Sequence, residues 1–418
     1  MKVSALGESL VSSEIIKIAG EVNEMKAKGI EVANLTIGDF DPKLFPIPQQ
    51  LQNDIVEAYE AHQTNYPPAG GVLALRQSVS TFLKERLNLD YSANNEILIS
   101  GGSRPLIYAT FLALVDAGDT ILYPAPSWNN NHYAHLLGAN GVAVPTQPEN
   151  NFMPTGADIK PYLKGATLLA LCSPLNPTGT MFTADNLKEI CELVLEENQS
   201  RGANEKPLYI FYDQIYSQLT FGNHKHVNPV TLVPALRDYT VFIDGSSKCF
   251  AATGVRVGWG FGPAHILEKM RAIVSHMGAW APKAEQVAMS KFLVNTPAVD
   301  EFLNTFKNKV TESLDTLYNG LMDLKNEGFA IDAIEPMGAI YLTIKIDYVG
   351  KTTPNGFVLE TSTALNFYLI KEANIALVPF SAFGTEEMCW FRASVGASSA
   401  KEIRSKLPAL KEALSKLK

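Results

Sequence analysis

The sequence is poor in cysteine, and its cysteines are far apart. Cys172, Cys191, Cys249 and Cys389 show no CxxC spacing. Neither a disulfide scaffold nor a zinc site is therefore expected, and the histidines show no metal-ligand partners, so we predict no bound metal. We expect the cysteines to be small buried hydrophobic side chains in a reducing compartment, and cytoplasm is the predicted location.

The sequence also lacks an excess of positive charge and long apolar runs. Its formal net charge is -8 at pH 7, so no extended basic surface for nucleic acid is expected. No apolar stretch is long enough to span a bilayer, and Met1–Leu10 lacks the apolar core of a signal peptide. We therefore expect a protein that binds neither nucleic acid nor a membrane.

The chain has 418 residues, 46% of them apolar, which is typical of a globular protein with two domains. Short apolar runs alternate with amphipathic, helix-length segments. The runs are rich in branched or aromatic residues and are Glu96–Ser100, Thr120–Tyr123, Thr167–Cys172, Leu208–Tyr212 and Thr240–Asp244. This pattern predicts buried strands of a mostly parallel α/β sheet.

Helices are predicted between and after these strands. The spacing of apolar residues predicts helices over Arg104–Val115 and Asn186–Glu197, and a long one over Pro297–Glu327 that joins the sheet to a smaller C-terminal domain. Further on, Ala339–Ile346 and Ile375–Val378 are predicted strands, and Ser399–Leu417 is a closing helix.

Chemically useful side chains follow the predicted strands, and ligands of open α/β sheets bind beyond the strands' carboxyl ends. In chain order these positions hold Gly101-Gly102-Ser103, then Trp128, Asn176, Asp213 with Tyr216, and Lys248. A lysine, a carboxylate, hydrogen-bond donors and an aromatic face are the groups that pyridoxal phosphate needs. Arg256, eight residues after Lys248, is a candidate guanidinium for the phosphate.

The stretch from Ser247 to Gly258 resembles the cofactor-lysine signature of class I aminotransferases. The resemblance continues in residues 65–71 with Leu75-Arg76, in 173–179 and in 391–394, so the motifs cover most of the chain in the family's order. It implies fold type I, with a mixed, mostly parallel seven-stranded sheet between helices in a large domain and a smaller α+β domain. The implied divisions are 1–45, an N-terminal segment packing with the small domain, 46–295 and 296–418.

The resemblance also implies a role for each matching residue. Lys248 is the expected Schiff-base lysine and proton shuttle, and Asp213 the partner of the pyridine nitrogen. Asn176 and Tyr216 are expected to hold the phenolate oxygen of pyridoxal 5'-phosphate, and Trp128 to stack on the ring. The expected phosphate ligands are Gly102, Ser103, Ser247 and Arg256, and in a homodimer with shared sites Tyr66 reaches the phosphate of the neighbouring subunit. Gly38 and Arg392, with Trp128 and Asn176, are the expected substrate-binding residues.

The sequence departs from the family pattern at several positions. Gly245 stands where many relatives have a phosphate-binding serine, so either Ser246 or Ser247 has to compensate. Gln214 replaces an acid that often follows the pyridine aspartate, and residues 38–42 match the family's substrate loop only in part. Ser103 replaces a lysine that helps to read a side-chain carboxylate in bacterial aspartate aminotransferases; either Arg104 takes this part, or the substrate is not dicarboxylic.

The leading hypothesis is therefore an aminotransferase that moves the amino group of an L-amino acid, aspartate or a related one, to a 2-oxo acid such as 2-oxoglutarate by a ping-pong mechanism. A lyase or decarboxylase on the same scaffold is the alternative, because the cofactor stabilises the same type of carbanion in each reaction. A ligand-binding regulator is the third hypothesis, and the lack of a helix-turn-helix extension and the intact Lys248 argue against it.

Overall fold

The computed structural model describes residues 3–10, 14–385 and 389–418. The strands in this part of the chain are β1 (Ala33–Asn34), β2 (Ile97–Ser100), β3 (Thr120–Ala125), β4 (Asn140–Pro145), β5 (Ala166–Cys172), β6 (Tyr209–Asp213), β7 (Thr240–Gly245), β8 (Gly258–Phe261), β9 (Ile331–Ala333), β10 (Tyr341–Ile346), β11 (Ile375–Ala376), β12 (Val378–Pro379) and β13 (Trp390–Ser394). The five strands predicted before residue 245 are confirmed within two residues at each end.

The helices fill the intervals between the strands. They are α1 (Ala5–Ser9), α2 (Glu14–Ala27), α3 (Gln49–Glu60), α4 (Leu73–Leu87), α5 (Ser103–Leu114), α6 (Asn130–Leu137), α7 (Gly156–Ile159), α8 (Ala184–Ser200), α9 (Pro229–Leu232), α10 (Ser246–Cys249), α11 (Ala264–Met277), α12 (Lys283–Leu293), α13 (Thr296–Asn326), α14 (Ser362–Ala373) and α15 (Ala400–Ser415). The four predicted helices correspond to α5, α8, α13 and α15, with ends shifted by up to three residues.

A seven-stranded sheet forms the centre of the molecule, in the order β2-β8-β7-β6-β5-β3-β4. Strands β3 to β7 are parallel to one another, and β8 runs antiparallel to both of its neighbours, β2 and β7. The predicted mixed, mostly parallel sheet is confirmed. Its inner strands are buried along their length, as expected for a sheet covered on both faces.

The C-terminal part contains a four-stranded antiparallel sheet, β12-β13-β10-β9. The prediction of one strand over Ile375–Val378 is wrong, because the chain changes sheets within it. Ile375 pairs in parallel with Ala33 in a separate two-stranded sheet, whereas Val378 pairs antiparallel with Arg392. An apolar run alone cannot reveal such a change of partner.

The long helix α13 begins with an Asn295 side chain that accepts a hydrogen bond from the amide of Ala298, and Pro297 lies in its first turn, where a missing N–H costs nothing. Val299 and Leu303 pack into the core beside the central sheet, and the helix from Phe306 onward packs into a second core around β10. The helix therefore joins two hydrophobic cores.

The N-terminal segment packs on the second core. Leu35, Phe40 and Phe45 belong to it, and Ile18 and Val22 contact Ile370 in a small neighbouring cluster. Residues 1–2 and 11–13 of the predicted segment 1–45 lie outside the described residues. Among the described helices, none combines the length and the apolar character that a bilayer crossing requires.

Candidate active site

A cavity of about 410 Å³ lies beyond the carboxyl ends of β3, β5, β6 and β7, between the seven-stranded and the four-stranded sheet. Ten of the twelve predicted site residues line it: Gly38, Ser103, Trp128, Asn176, Asp213, Tyr216, Ser247, Lys248, Arg256 and Arg392. Gly102 and Tyr66 do not. The convergence follows from the parallel strands, since their carboxyl ends meet at one edge of the sheet.

Lys248 enters the cavity from α10, the short helix that follows β7. Its Nζ donates a hydrogen bond to the carbonyl oxygen of Gly38 and lies 6.0 Å from the ring centre of Tyr216. Burial lowers the pKa of this amine to about 8, against the raising effect of Asp39, while Arg392 and other cations lower it further. Roughly a tenth of the amine is therefore uncharged at pH 7, far more than for a lysine with its ordinary pKa of about 10.4, and a nucleophile or base must be uncharged.

Asp213 ends β6 and faces the same cavity. Its Oδ1 accepts a hydrogen bond of 3.0 Å from the backbone N–H of Ile215. Burial raises the pKa of Asp213 to about 6, although the Ile215 N–H and the charge of Lys248 act in the opposite direction. The carboxylate is therefore ionised at pH 7 and offers a buried negative charge to a cationic partner.

Arg392, from β13, brings a buried guanidinium to the cavity wall, and its side chain is 2% exposed. One terminal nitrogen donates to Asn176 Oδ1 at 3.0 Å and the other to the carbonyl oxygen of Thr36 at 2.6 Å. Its Nε is buried without a hydrogen-bond partner in the described residues. A buried, incompletely satisfied guanidinium is suited to a carboxylate ligand.

Tyr216 forms a hydrogen bond of 2.6 Å with a second tyrosine, Tyr341, the first residue of β10. Both lie almost fully buried, and burial raises the pKa of each hydroxyl above its ordinary value. A side chain at Gly38 would place its Cβ 2.6 Å from the Tyr341 hydroxyl, so only glycine fits there. Sequence reasoning missed Tyr341 because it comes from a strand of the other sheet and carries no motif.

The turn before α5 and the segment after α10 meet at Arg256. Its guanidinium donates to the carbonyl oxygens of Gly101, at 2.9 Å, and Thr253, at 2.7 Å. Gly102 has a φ of +93°, and a Cβ there would lie 2.1 Å from an Arg256 terminal nitrogen. Gly102 therefore makes room for the guanidinium without lining the cavity, and Ser103 opens a twelve-residue helix whose first amides are free to bind an anion.

The two serines before Lys248 have different environments. Ser246 is fully buried, and its hydroxyl donates to the carbonyl oxygen of Val257 at 2.8 Å, whereas Ser247 lines the cavity. A Cβ at Gly245 would lie 2.9 Å from the Cα of Gly258 on β8, which leaves no room for a serine. The sequence alone did not decide whether Ser246 or Ser247 compensates for the serine that Gly245 replaces. Of these two residues, Ser247 is the one that lines the cavity.

Trp128 lies at the cavity wall beside Phe383, with ring centres 6.5 Å apart. The guanidinium carbon of Arg104 is 5.2 Å from the centre of the Trp128 ring, within cation–π distance. Arg104 lines the cavity, and no ion pair in the described part of the chain includes it. Asp39, which sequence reasoning did not single out, also lines the cavity.

Tyr66 lies away from the cavity. Its side chain is 82% exposed, and its ring packs edge-on against Trp280, with centres 5.4 Å apart. A single chain does not test a contact with a neighbouring subunit, so its predicted role stays a prediction. Within the described ranges, no group of three or more histidine, cysteine, aspartate or glutamate residues is arranged to hold a metal ion.

Comparison with known proteins gives one consistent result. The family model described as aminotransferase class I and II matches residues 30–410. The chain is 29% identical over 381 residues to an aspartate aminotransferase of Bacillus sp. (strain YM-2), covering 90% of this chain and 91% of that one. It is 30% identical over 375 residues to a probable aspartate/prephenate aminotransferase of Rhizobium leguminosarum bv. phaseoli, covering 89% of each.

Solved structures with the same fold include the aspartate aminotransferase of Rhizobium meliloti, with a TM-score of 0.91, 25% identity and full coverage of both chains. The aspartate aminotransferase of Thermus thermophilus, crystallised with maleate, has a TM-score of 0.87 at 22% identity and covers 99% of this chain and all of its own. At that identity the second likeness concerns the fold alone.

Proposed function

This chain belongs to the aminotransferase class I and II family, and we therefore propose that it uses pyridoxal 5'-phosphate to move the amino group of an L-amino acid, aspartate or a related one, to a 2-oxo acid such as 2-oxoglutarate. The observation that carries the proposal is the meeting of an amine, a carboxylate and two guanidinium groups at one cavity, namely Lys248, Asp213, Arg256 and Arg392. Two half-reactions in a ping-pong order are the expected scheme.

The residues present fit this cofactor. The cavity offers an amine with a lowered pKa, a buried carboxylate and the first turn of a long helix. The partnerless Nε of Arg392 also calls for a further ligand. When bound, pyridoxal phosphate supplies an aldehyde that takes up the amino group and a protonated ring that stabilises negative charge at the substrate's Cα.

Lys248 would hold the cofactor covalently through Nζ and, once released, would take the proton from the substrate's Cα. A lysine with its ordinary pKa of about 10.4 is almost fully protonated at neutral pH and is a poor base. Burial removes part of this obstacle by lowering the pKa of Lys248 to about 8. The carbonyl oxygen of Gly38 would orient the amine, since it accepts a hydrogen bond from Nζ.

Asp213 would accept a hydrogen bond from the ring nitrogen and hold a proton there by its negative charge. Trp128 would stack on the ring, and the hydroxyl of Tyr216 and the amide of Asn176 would donate hydrogen bonds to its phenolate oxygen. The Asn176 side chain is already oriented for this, because its Oδ1 accepts from Arg392 and its amide nitrogen is then the free end.

The phosphate would lie at the first turn of α5. Ser103 supplies a hydroxyl and a backbone N–H there, Ser247 supplies the hydroxyl that Gly245 lacks, and Arg256 supplies the positive charge. The partial positive charge of a helix N-terminus favours a bound anion. Gly102 acts indirectly, since the absence of its side chain lets the guanidinium of Arg256 approach this turn.

The substrate's α-carboxylate would bind Arg392, with Gly38 leaving space beside Tyr341. Arg104 supports a dicarboxylic substrate, because it brings a third guanidinium to the cavity, besides those of Arg256 and Arg392, and has no ion-pair partner among the described residues. Arg104 would bind the side-chain carboxylate while its planar group stays stacked on Trp128. The relatives named as aspartate aminotransferases agree with this substrate class.

We also propose a homodimer with shared active sites, the division 1–45, 46–295 and 296–418, and a cytoplasmic location. An aromatic side chain as exposed as that of Tyr66 suits a contact with a second copy. Tyr66 would then reach the neighbouring subunit's phosphate.

The decisive experiment uses borohydride, which fixes the cofactor to the lysine that holds it. The purified protein should be yellow, and after reduction the label should lie only in the peptide containing Lys248. Lys248→Ala should lose multiple turnover. Lys345→Ala is the matched control, because this half-exposed lysine pairs with Asp347 at 3.5 Å, and such surface pairs contribute little.

Undiminished turnover of Lys248→Ala would overturn the proposal. Product analysis separates the reaction types on the same protein. A transaminase converts the bound cofactor to its amine form and releases a 2-oxo acid, whereas a β-lyase releases ammonia. An amino-donor screen with 2-oxoglutarate, followed by the cofactor's absorbance, then identifies the substrate class.

A further inference from the structure

Asp244 is a buried carboxyl group behind the proposed cofactor site. It is the second-last residue of β7 and is 2% exposed. No ion pair in the part of the chain that the structure describes includes it. A buried carboxylate without a cationic partner is costly unless hydrogen bonds satisfy its oxygens, so its neighbours decide whether it is tolerated.

Three donors surround this carboxylate. The side-chain amide of Gln214 and the hydroxyl of Ser217 each donate to Oδ2 at 3.2 Å, and the backbone N–H of Gly245 donates to Oδ1 at 2.7 Å. Burial raises the pKa of Asp244 to about 7, while the three hydrogen bonds lower it and the charge of Asp213 raises it. The donors therefore favour the ionised form against the cost of burial.

Each donor lies in a chain segment that carries a residue of the proposed site. Gln214 directly follows Asp213, and Ser217 directly follows Tyr216. Gly245 ends β7 immediately before α10, the helix that carries Lys248. A single carboxylate thus joins the three segments that bring the acid, the phenol and the amine to the cavity.

We propose that Asp244 is a positioning residue, which fixes the relative placement of Asp213, Tyr216 and Lys248 through hydrogen bonds to the segments that carry them. The inference rests on the proposed function, because those three residues are the ones proposed to hold the cofactor. Asp244 itself lies outside the cavity lining and does not touch the reacting atoms.

The network has a defined donor order. His226 Nε2 lies 3.2 Å from Gln214 Oε1, and burial lowers the pKa of His226 to about 3, so this histidine is neutral. Because the Gln214 amide nitrogen donates to Asp244, its oxygen accepts, and His226 must carry its proton on Nε2. The order runs from His226 to Gln214 to Asp244, and it requires an acceptor at position 244.

This order yields a rescue experiment. In Asp244→Asn the side-chain oxygen stays with the backbone N–H of Gly245, so the amide nitrogen faces the Gln214 amide nitrogen. Gln214 must then rotate and present its own donor to His226. The double variant Gln214→Glu/Asp244→Asn pairs every donor with an acceptor again, with the hydrogen bond between positions 214 and 244 reversed, because the carboxylate introduced at position 214 accepts from both the amide introduced at position 244 and His226. The acid then stands at position 214 instead of 244, with the same number of buried charges.

The readouts are the pH midpoint of the holoenzyme's visible absorbance, the affinity of the cofactor-free protein for pyridoxal phosphate, and kcat and KM. Asp244→Asn should lower kcat by about tenfold or more, as small misplacements of reacting groups do, with little change in KM. It should also move the absorbance midpoint and weaken cofactor binding. The double variant should recover most of each loss.

Asp54→Asn is the matched control. Asp54 lies on α3, outside the cavity lining, and is a buried carboxylate that accepts a hydrogen bond from the Gln50 side chain at 3.0 Å. This variant should leave the absorbance midpoint unchanged. If Asp244→Asn does not fold, Ser217→Ala takes its place, because it removes one hydrogen bond to the carboxylate and keeps the charge. This variant should then move the absorbance midpoint away from that of the parent protein.

The inference is overturned if Asp244→Asn has the absorbance midpoint, cofactor affinity and kcat of the parent protein, or if the double variant recovers none of what the single variant loses. Where Asp244→Asn does not fold, the inference is overturned if Ser217→Ala leaves the absorbance midpoint unchanged. Failure of the proposed function is a different result. In that case the parent protein itself binds no pyridoxal phosphate and has no visible absorbance to titrate.

Discussion

Replacing Arg104 by methionine removes a positive charge from the cavity and keeps an unbranched side chain beside Trp128. If Arg104 binds the side-chain carboxylate of the substrate, the variant loses a hydrogen bond to a charged group, about 1.5–3 kcal/mol. This corresponds to a fall of about 10- to 160-fold in kcat/KM for aspartate. A donor with an apolar side chain, such as leucine, has no such bond to lose.

The loss of the contact between Arg104 and Trp128, with 5.2 Å from guanidinium carbon to ring centre, acts on all donors alike. At a partly exposed site such a contact contributes about 0.5–1 kcal/mol, which is a factor of about two to five for every substrate. The diagnostic quantity is therefore the ratio of the kcat/KM values for aspartate and leucine, not either value alone.

The assay is the single-turnover change of cofactor absorbance on mixing with each donor, over a range of donor concentrations. Arg104→Lys is the control that keeps the charge and should retain part of the preference for aspartate. An equal fall for aspartate and leucine in Arg104→Met would refute the assignment, because Arg104 would then act on the cavity in general rather than on the second carboxylate.

Two further predictions follow from the pKa values of the site. An amine must be uncharged to attack an aldehyde, and burial lowers the pKa of Lys248 to about 8. The rate at which the cofactor-free protein captures pyridoxal phosphate should therefore rise with pH around that value. A midpoint near 10, as for an ordinary lysine, would contradict the lowered pKa of Lys248. Burial raises the pKa of Asp213 from 3.8 to about 6, so its ionisation destabilises the cofactor-free fold increasingly as the pH rises from about 4 to 6. Asp213→Asn should therefore raise the free energy of unfolding of the cofactor-free protein by roughly 1–3 kcal/mol at pH 8, and this gain should shrink toward pH 4. Urea unfolding measures it. A loss of stability at pH 8 would argue against a buried charge at position 213.

The central strands and the residues that follow them could be predicted because the length of each apolar run, its composition and the position of the polar residue after it all indicate the same structure. Runs such as Thr167–Cys172 are apolar, short and rich in branched residues, and the chemically useful residue comes within five residues after the run ends. Asp213 and Lys248 follow from this pattern and from the family resemblance together. The parallel sheet then brings them to one edge without further information.

Other elements could not be predicted from local pattern. Strand β8 begins Gly258-Trp259-Gly260, and glycine disfavours strands, but here it is required. A Cβ at Gly258 would lie 2.4 Å from the backbone of Gly102, so the close approach of β8 to the turn before α5 depends on glycine. Strand β4 is an edge strand with glycine and proline, which weakens the same signal.

Tyr341 and Asp244 were missed for a further reason. Tyr341 comes from β10, in the four-stranded sheet, and its place beside Tyr216 depends on how the two sheets pack. Asp244 is the last residue of the predicted strand Thr240–Asp244, and the sequence pattern assigns it no role beyond ending that strand. Its partners Gln214 and Ser217 come from another strand end, and only the register of β6 against β7 brings them together.

Residues 36–39 come early in the sequence but form a wall of the candidate active-site cavity. The carbonyl oxygen of Thr36 accepts from Arg392, that of Ile37 from Ser394, and that of Gly38 from Lys248. Backbone atoms make these contacts, so the side chain of Ile37 is available for variation, whereas the Asp39 carboxylate accepts a hydrogen bond from the backbone N–H of Phe40 and raises the pKa of Lys248. A library at position 37 would therefore reshape the cavity wall while the central sheet keeps its own residues.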